Sequence, residues 1–184
     1  MTRGGCEFPI LSVNLLLDSK FRKGQPVRTS KNRKTMDIHG TVRDILQSKG
    51  GQVWTTRPQD TVYEAIGLMG EKNIGALVVV EDGEVVGVLS ERDYSRKVVL
   101  QGRTSRDTRV GEIISCPVIA VRRKDGIDKC MQLMTEHRIR HLPVVDDNRL
   151  VGLISMGDLV RWVMESQNHT ILQLQGYISG DYPG

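Results

Sequence analysis

The residues best suited to chemistry recur in one pattern, Gly-(apolar)-(apolar)-Ser-x-x-Asp. It stands as Gly87-Val88-Leu89-Ser90-Glu91-Arg92-Asp93 and again as Gly152-Leu153-Ile154-Ser155-Met156-Gly157-Asp158. In each copy a strand-like apolar run ends and a helical pattern begins. A helix N-terminus offers unpaired backbone N–H groups and a partial positive charge, which suit a phosphate. A carboxylate in the first turn can accept hydrogen bonds from ribose hydroxyls, and the glycine lets another backbone or a ligand come close. Ser-x-x-Asp is also a capping-box pattern that needs no ligand. The two readings are compatible, and repetition at a fixed offset favours a ligand site over a cap alone.

Basic residues gather near the same elements. Arg92 and Arg96 lie four apart and share one helix face, with Lys97 beside them. Arg138-Ile139-Arg140-His141-Leu142-Pro143-Val144 leads into the second hairpin. Strand alternation turns Arg140 and His141 to opposite sides, and either could face an anion or simply solvent. The matching stretch of the first copy, Asn73-Ile74-Gly75-Ala76, carries no charge, so the two sites are unequal.

These motifs sit inside an internal repeat. A shift of 65 residues places Ile74, Leu77, Val79 and Val80 on Ile139, Leu142, Val144 and Val145, and Gly87, Ser90 and Asp93 on Gly152, Ser155 and Asp158. Such a repeat must be found first, because it decides the fold. Each copy opens with a short helical lead-in (Val42 to Leu46; Val110 to Ile114), then an extended segment (Val53 to Thr56; Val118 to Val121). An amphipathic helix follows, with Val62, Ala65, Ile66 and Met69, or Ile127, Cys130, Met131 and Met134, at i, i+3, i+4 and i+7. Two apolar strands come next, joined by turns at Glu81-Asp82-Gly83 and Asp146-Asp147-Asn148. A second helix closes each copy, starting at Ser90 and at Ser155. The fold class is therefore α+β: two pseudo-symmetric β-α-β-β-α repeats packed sheet-to-sheet. One copy of about 60 residues has a marginal core, so the pair is expected to form one unit over residues 38–165.

Composition bounds the rest. The 184 residues are 39% hydrophobic and 26% charged, as in an ordinary globular chain. No apolar run approaches the ~20 residues that cross a bilayer, so a soluble protein with no membrane partner is expected. The net charge of +4 comes from residues 1–36, which hold eight Lys/Arg and two acids. Nucleic-acid binding through that basic arm is the alternative reading, and a disfavoured one, because the remainder is slightly acidic. Three scattered cysteines give no disulfide framework and suit a reducing compartment, with Cys130 a buried inert thiol. The arm reads as a flexible extension, which makes the protein cytoplasmic; read as a transit peptide, it would direct the chain to the mitochondrial matrix.

The paired Gly-x-x-Ser-x-x-Asp elements and the Arg-Ile-Arg-His-Leu-Pro-Val-Val segment resemble a tandem pair of CBS domains, the arrangement called a Bateman module. The resemblance spans roughly residues 40–165 and is similar to small stand-alone bacterial pairs and their plant organellar relatives. It implies a first repeat over 38–101, a second over 106–165, and a helix end and tail over 166–184. It implies a cleft for an adenine nucleotide (AMP, ATP or NAD(H)), with no obligatory cofactor. It assigns the ribose to Asp93 and Asp158 and the phosphate side to Ser90 and Ser155. It places adenine against Val53 to Thr56 with Asn73 to Ala76, and against Val118 to Ala120 with Ile139 to His141. The expected site is thus Ser90, Arg92, Asp93, Thr56, Ile74, Ala76, Val118, Ala120, Ile139, Arg140, His141, Ser155 and Asp158. A homodimer and a separate regulated partner protein are also implied; a nucleotide-independent interaction module is a further alternative. An enzyme is not expected. The four histidines have no metal-ligand spacing, and neither a Gly-x-Ser-x-Gly elbow nor a Walker-type loop is present.

Overall fold

The computed structural model describes residues 40–115 and 117–166. The basic arm, Cys116, and residues 167–184 of the expected helix end and tail lie outside the described residues. The elements run α1 (Val42–Lys49), β1 (Thr55–Thr56), α2 (Val62–Lys72), β2 (Ala76–Glu81), β3 (Glu84–Ser90), α3 (Glu91–Lys97), α4 (Ile127–Glu136), β4 (His141–Asp146) and β5 (Arg149–Ser155). Two 3-10 turns lie at Val99–Gln101 and Val110–Glu112. A further helix, α5, covers residues 156–166.

The repeat governs the detail. Both hairpins pair with the same register and shift it at the same place, between Val79 and Val80 and between Val144 and Val145. Both turns hold two residues at positive φ, Asp82 and Gly83 in one and Asp147 and Asn148 in the other. That geometry matches the right-handed twist of the strands, and Asp, Asn and Gly tolerate it best. β1 lies parallel to β2, whereas its counterpart in the second repeat shrinks to one bridge between Val121 and Val144. α2 and α4 end alike, with Asn73 and Arg138 in the left-handed region and the next isoleucine bonded back to Met69 or Met134.

α2 buries Val62, Ala65 and Met69, and α4 buries Ile127, Cys130 and Met134, as their periodicity predicts. Burial pushes the Cys130 thiol up to about 12, where it stays protonated and unreactive. The opposite face of α2 carries the exposed Gly67, around which an added Cβ would meet nothing within 4 Å. Gly67→Ala is therefore expected to stabilise the fold by about 0.5–1 kcal/mol in urea unfolding. An unchanged or lower midpoint would contradict the open surroundings.

The lead-in segments change places. α1 precedes the first repeat in the chain, yet its Val42, Ile45 and Leu46 pack into the core of the second, with Val121, Ile127, Met134, Val144 and Ile154. Val110, Ile113 and Ile114 of the second lead-in pack into the core of the first, with Val62, Met69, Leu77, Val79 and Leu89. Backbone bonds tie each exchange: Val42 N–H donates to Asp125 and Ile127 N–H to Gly40; Val110 N–H donates to Asp60 and Val62 N–H to Thr108. A third cluster, with Val78, Val85, Val118, Ala120 and Val145, draws on both repeats and brings the two sheets together.

Candidate functional site

The motif glycines serve this exchange. A Cβ on Gly87 would stand 2.6 Å from Ile114 Cδ1, and one on Gly152 would stand 2.6 Å from Leu46 Cδ2. The close approach that the motif predicts is thus to a side chain of the crossing lead-in, not to a ligand.

The Ser and Asp residues form reciprocal caps. The Ser90 hydroxyl accepts from Asp93 N–H at 3.3 Å, and Asp93 Oδ2 accepts from Ser90 N–H at 3.1 Å and from Ser90 Oγ at 2.6 Å. Ser155 and Asp158 repeat the arrangement at 3.2, 2.7 and 2.8 Å. The first helical N–H groups are also engaged, Glu91 with the Gly75 carbonyl and Met156 with the Arg140 carbonyl. The N–H groups of Ser90, Glu91, Asp93, Ser155, Met156 and Asp158, which the sequence offers as phosphate donors, thus have partners within the protein.

Each acid opens on a cleft whose far wall belongs to the other repeat. The larger cleft, about 460 Å³, joins Ser90, Arg92, Asp93, Arg96 and Lys97 to Val118, Ile119 and residues 137–141. The smaller, about 270 Å³, joins Ser155, Asp158 and Leu153 to Lys49, Gln52, Val53, Trp54 and residues 73–76. Of the expected residues, Ser90, Arg92, Asp93, Val118, Ile139, Arg140 and His141 meet in the larger cleft, and Ile74, Ala76, Ser155 and Asp158 in the smaller. His141 lines both. Thr56 and Ala120 line neither. Thr56 is 7% exposed and donates to Asp60 Oδ2 at 3.0 Å, and Ala120 is 5% exposed in the cluster between the sheets. Both follow residues that do reach a cleft, but the chain has by then turned inward.

Sequence reasoning missed Lys49. Its ammonium donates to Asp158 Oδ2 and to the Leu153 carbonyl, each at 2.8 Å. Only the exchange of α1 brings it there, so no local signal announces it. In the larger cleft Lys97 takes the matching role, 3.1 Å from Asp93 Oδ1, and donates to the Ile113 carbonyl at 2.7 Å. Ser115 Oγ reaches the same Asp93 oxygen at 3.1 Å. Arg92 spans the cleft, donating through Nη1 to the Arg138 carbonyl at 3.0 Å.

Burial works against ionisation of Asp158, but the bonds from Lys49 and Ser155 outweigh it and hold the carboxyl below the ordinary range. Burial chiefly, helped by Arg140, Lys49 and Arg92 and opposed by Asp158, pulls His141 below the ordinary histidine value. A histidine whose folded pKa lies below its unfolded one takes up its proton more readily when unfolded. Stability must then fall as pH drops from about 6.5 toward the folded value. The depressed carboxyls of Asp158 and Asp60 add a second loss at lower pH, as they protonate below their ordinary 3.8. His141→Gln is expected to flatten the first limb of a plot of urea midpoint against pH and to leave the second. An unaltered first limb would remove His141 from the account.

Two repeats that exchange lead-ins and enclose paired clefts between a carboxylate-bearing helix start and the partner repeat define a two-repeat module of tandem type. The family model for the CBS domain matches residues 41–99 and 110–165, and the chain belongs to the CBS-domain family. It is 41% identical over 152 residues to "CBS domain-containing protein CBSX3, mitochondrial" of Arabidopsis thaliana, covering 77% of this chain and 73% of that one. A solved CBS-domain protein from Burkholderia ambifaria is 52% identical, with a TM-score of 0.67, over 70% of this chain and 96% of that one. The CBS domain pair of protein MJ0100, solved in complex with 5′-methylthioadenosine and S-adenosyl-L-methionine, is 26% identical. Its TM-score is 0.62, over 69% of this chain and 98% of that one. The tandem CBS pair expected from the sequence is thus the fold observed, and such pairs are regulatory in character.

Proposed function

We propose that the protein is a non-catalytic sensor that binds an adenine nucleotide of the AMP/ATP or NAD(H) class between its repeats and modulates a separate partner protein. The supporting observation is the crossed construction of the clefts: each motif acid faces a wall supplied by the other repeat. A ligand held there touches both repeats, so it biases their relative arrangement by its differential affinity for the two states, and a partner reads the result. Asp93 and Asp158 hold ribose; Ile74, Ala76, Val118 and Ile139 offer apolar surface for adenine; Arg92 and Arg140 face phosphate. A volume of about 460 Å³ falls within the ~300–1,000 Å³ of ligand pockets. The solved MJ0100 pair holds adenosine compounds, which supports the ligand class.

Thermal unfolding of the full chain against AMP, ADP, ATP, NAD, NADH and S-adenosyl-L-methionine tests the reading. A ligand at 100 times its Kd adds about 2.7 kcal/mol, a rise of several degrees. The rise is expected for one class and is expected to vanish in Asp93→Asn, which keeps a capping oxygen. No rise for any of them would reduce both Ser–Asp pairs to helix caps. Self-association belongs to the same proposal: Val160 and Met164 stand exposed one turn apart on α5. Sedimentation equilibrium at the mass of a monomer would exclude it. No helix of the described residues is long and apolar enough to cross a membrane. We place the protein in the cytoplasm, or in the mitochondrial matrix if residues 1–36 direct import, which an organelle import assay decides.

A further inference from the structure

The two clefts are built by one repeated pattern, yet their charges differ. Around the larger cleft stand Arg92, Arg96, Lys97, Arg138 and Arg140, against the single carboxylate of Asp93. Around the smaller stand one cation, Lys49, and one carboxylate, Asp158, already paired at 2.8 Å. Position by position, the shift of 65 residues sets Gly157 where the first motif has Arg92, and sets Asn73 and Gly75 where the second hairpin has Arg138 and Arg140. Arg161, the counterpart of Arg96, is not among the residues of the smaller cleft. Trp54, Ile74, Ala76 and Leu153 line that cleft together with the uncharged polar Gln52, Asn73 and Ser155, in about 270 Å³ against about 460 Å³.

We infer that the clefts sort adenosine ligands by charge: the larger takes a polyphosphate-bearing nucleotide, and the smaller takes an adenosine compound without phosphate. The inference rests on the adenosine reading proposed above and adds the ligand class of each cleft. A di- or triphosphate brings several negative charges, and guanidinium groups meet phosphate oxygens through charge-assisted bonds. Four arginines at one mouth suit that load. At the smaller cleft a phosphate would meet only the Lys49 ammonium, which Asp158 and the Leu153 carbonyl already engage. A nucleoside needs no cation there. It needs a surface for its base and one carboxylate for its ribose, and Trp54, Ile74 and Asp158 supply them. The two ligands would then bind together without competing, and the module would report a pair of signals.

The test is calorimetric titration of the full chain with ATP, with 5′-methylthioadenosine, and with inorganic tripolyphosphate. The expected result is one ATP site and one 5′-methylthioadenosine site, the second still filled at saturating ATP. Arg138→Asn/Arg140→Gly gives the larger cleft the residues of the smaller, and Asn suits the left-handed backbone at position 138. That variant is expected to weaken ATP and tripolyphosphate at least about tenfold while leaving 5′-methylthioadenosine within about twofold. Asp158→Asn is expected to weaken only 5′-methylthioadenosine. Higher salt should weaken ATP and not the nucleoside. Competition between the two for one site, or ATP binding indifferent to the arginine replacements, would overturn the sorting. If neither adenosine compound binds, the sorting fails, the thermal panel decides the proposed function on its own, and tripolyphosphate decides the polyanion site: binding lost in the arginine variant keeps it, and no binding ends it.

Discussion

A chain cut between Gly102 and Arg103 is expected to give two fragments that are unfolded apart and folded together. The cut falls after the first repeat, where one would separate two ordinary domains. Here it removes Val110, Ile113 and Ile114 from the core of the first repeat, and Val42, Ile45 and Leu46 from the core of the second. Burying one Val, Leu or Ile side chain contributes about 1.5–3 kcal/mol. Three of them are comparable to the whole stability of a small domain, about 5–15 kcal/mol. A single repeat of about 60 residues has little margin to absorb that loss. Far-UV circular dichroism and amide dispersion of each fragment, then of the mixture, make the measurement. A cooperative melt from either fragment alone would mean that the exchanged lead-ins are dispensable. The single-residue form is Ile45→Ala, which should cost about 2–5 kcal/mol by opening a cavity in the second repeat's core, remote from it in sequence.

Alanine at the motif glycines should be nearly as damaging, although alanine normally strengthens a strand. Neither Gly87 nor Gly152 sits at positive φ, so conformational freedom is not why glycine is needed. Space is the reason. At Gly87 the added methyl would lie 2.6 Å from Ile114 Cδ1 and 3.0 Å from Ile114 Cβ, and a buried β-branched side chain has few rotamers to retreat into. At Gly152 the clash is with Leu46 Cδ2 at 2.6 Å and Cδ1 at 2.9 Å. Overpacking of this kind costs about 1–3 kcal/mol. Gly87→Ala should cost more than Gly152→Ala, because leucine bends away more readily. The double variant Gly152→Ala/Leu46→Ala carries the sharper expectation. Its loss in denaturant unfolding should be smaller than the sum of the two single losses, since the new methyl occupies the space that Leu46 leaves. Strict additivity would show that the two positions do not meet.

Much of this protein was legible from its residues, and the reason is locality. Helical spacing in α2 and α4, apolar runs in β2 to β5, turn chemistry at Asp82-Gly83 and Asp147-Asn148, and the Ser90–Asp93 and Ser155–Asp158 caps are decided by neighbours within a few residues. The repeat then required that two copies share one arrangement, so the fold class followed. What the residues left open is what depends on which surface lies against which. Nothing near Val42 to Leu46 says that they complete the other repeat's core, and only that exchange puts Lys49 on Asp158 and Leu46 over Gly152. Nothing local says that Asp93 faces Ile139 across a cleft, or that Thr56 and Ala120 turn into the interior. Short-range periodicity determined the elements and their caps. The crossing of the lead-ins, and with it the composition of each cleft, was decided by the tertiary structure, because a half-sized core buries its apolar surface best by borrowing a segment from its twin.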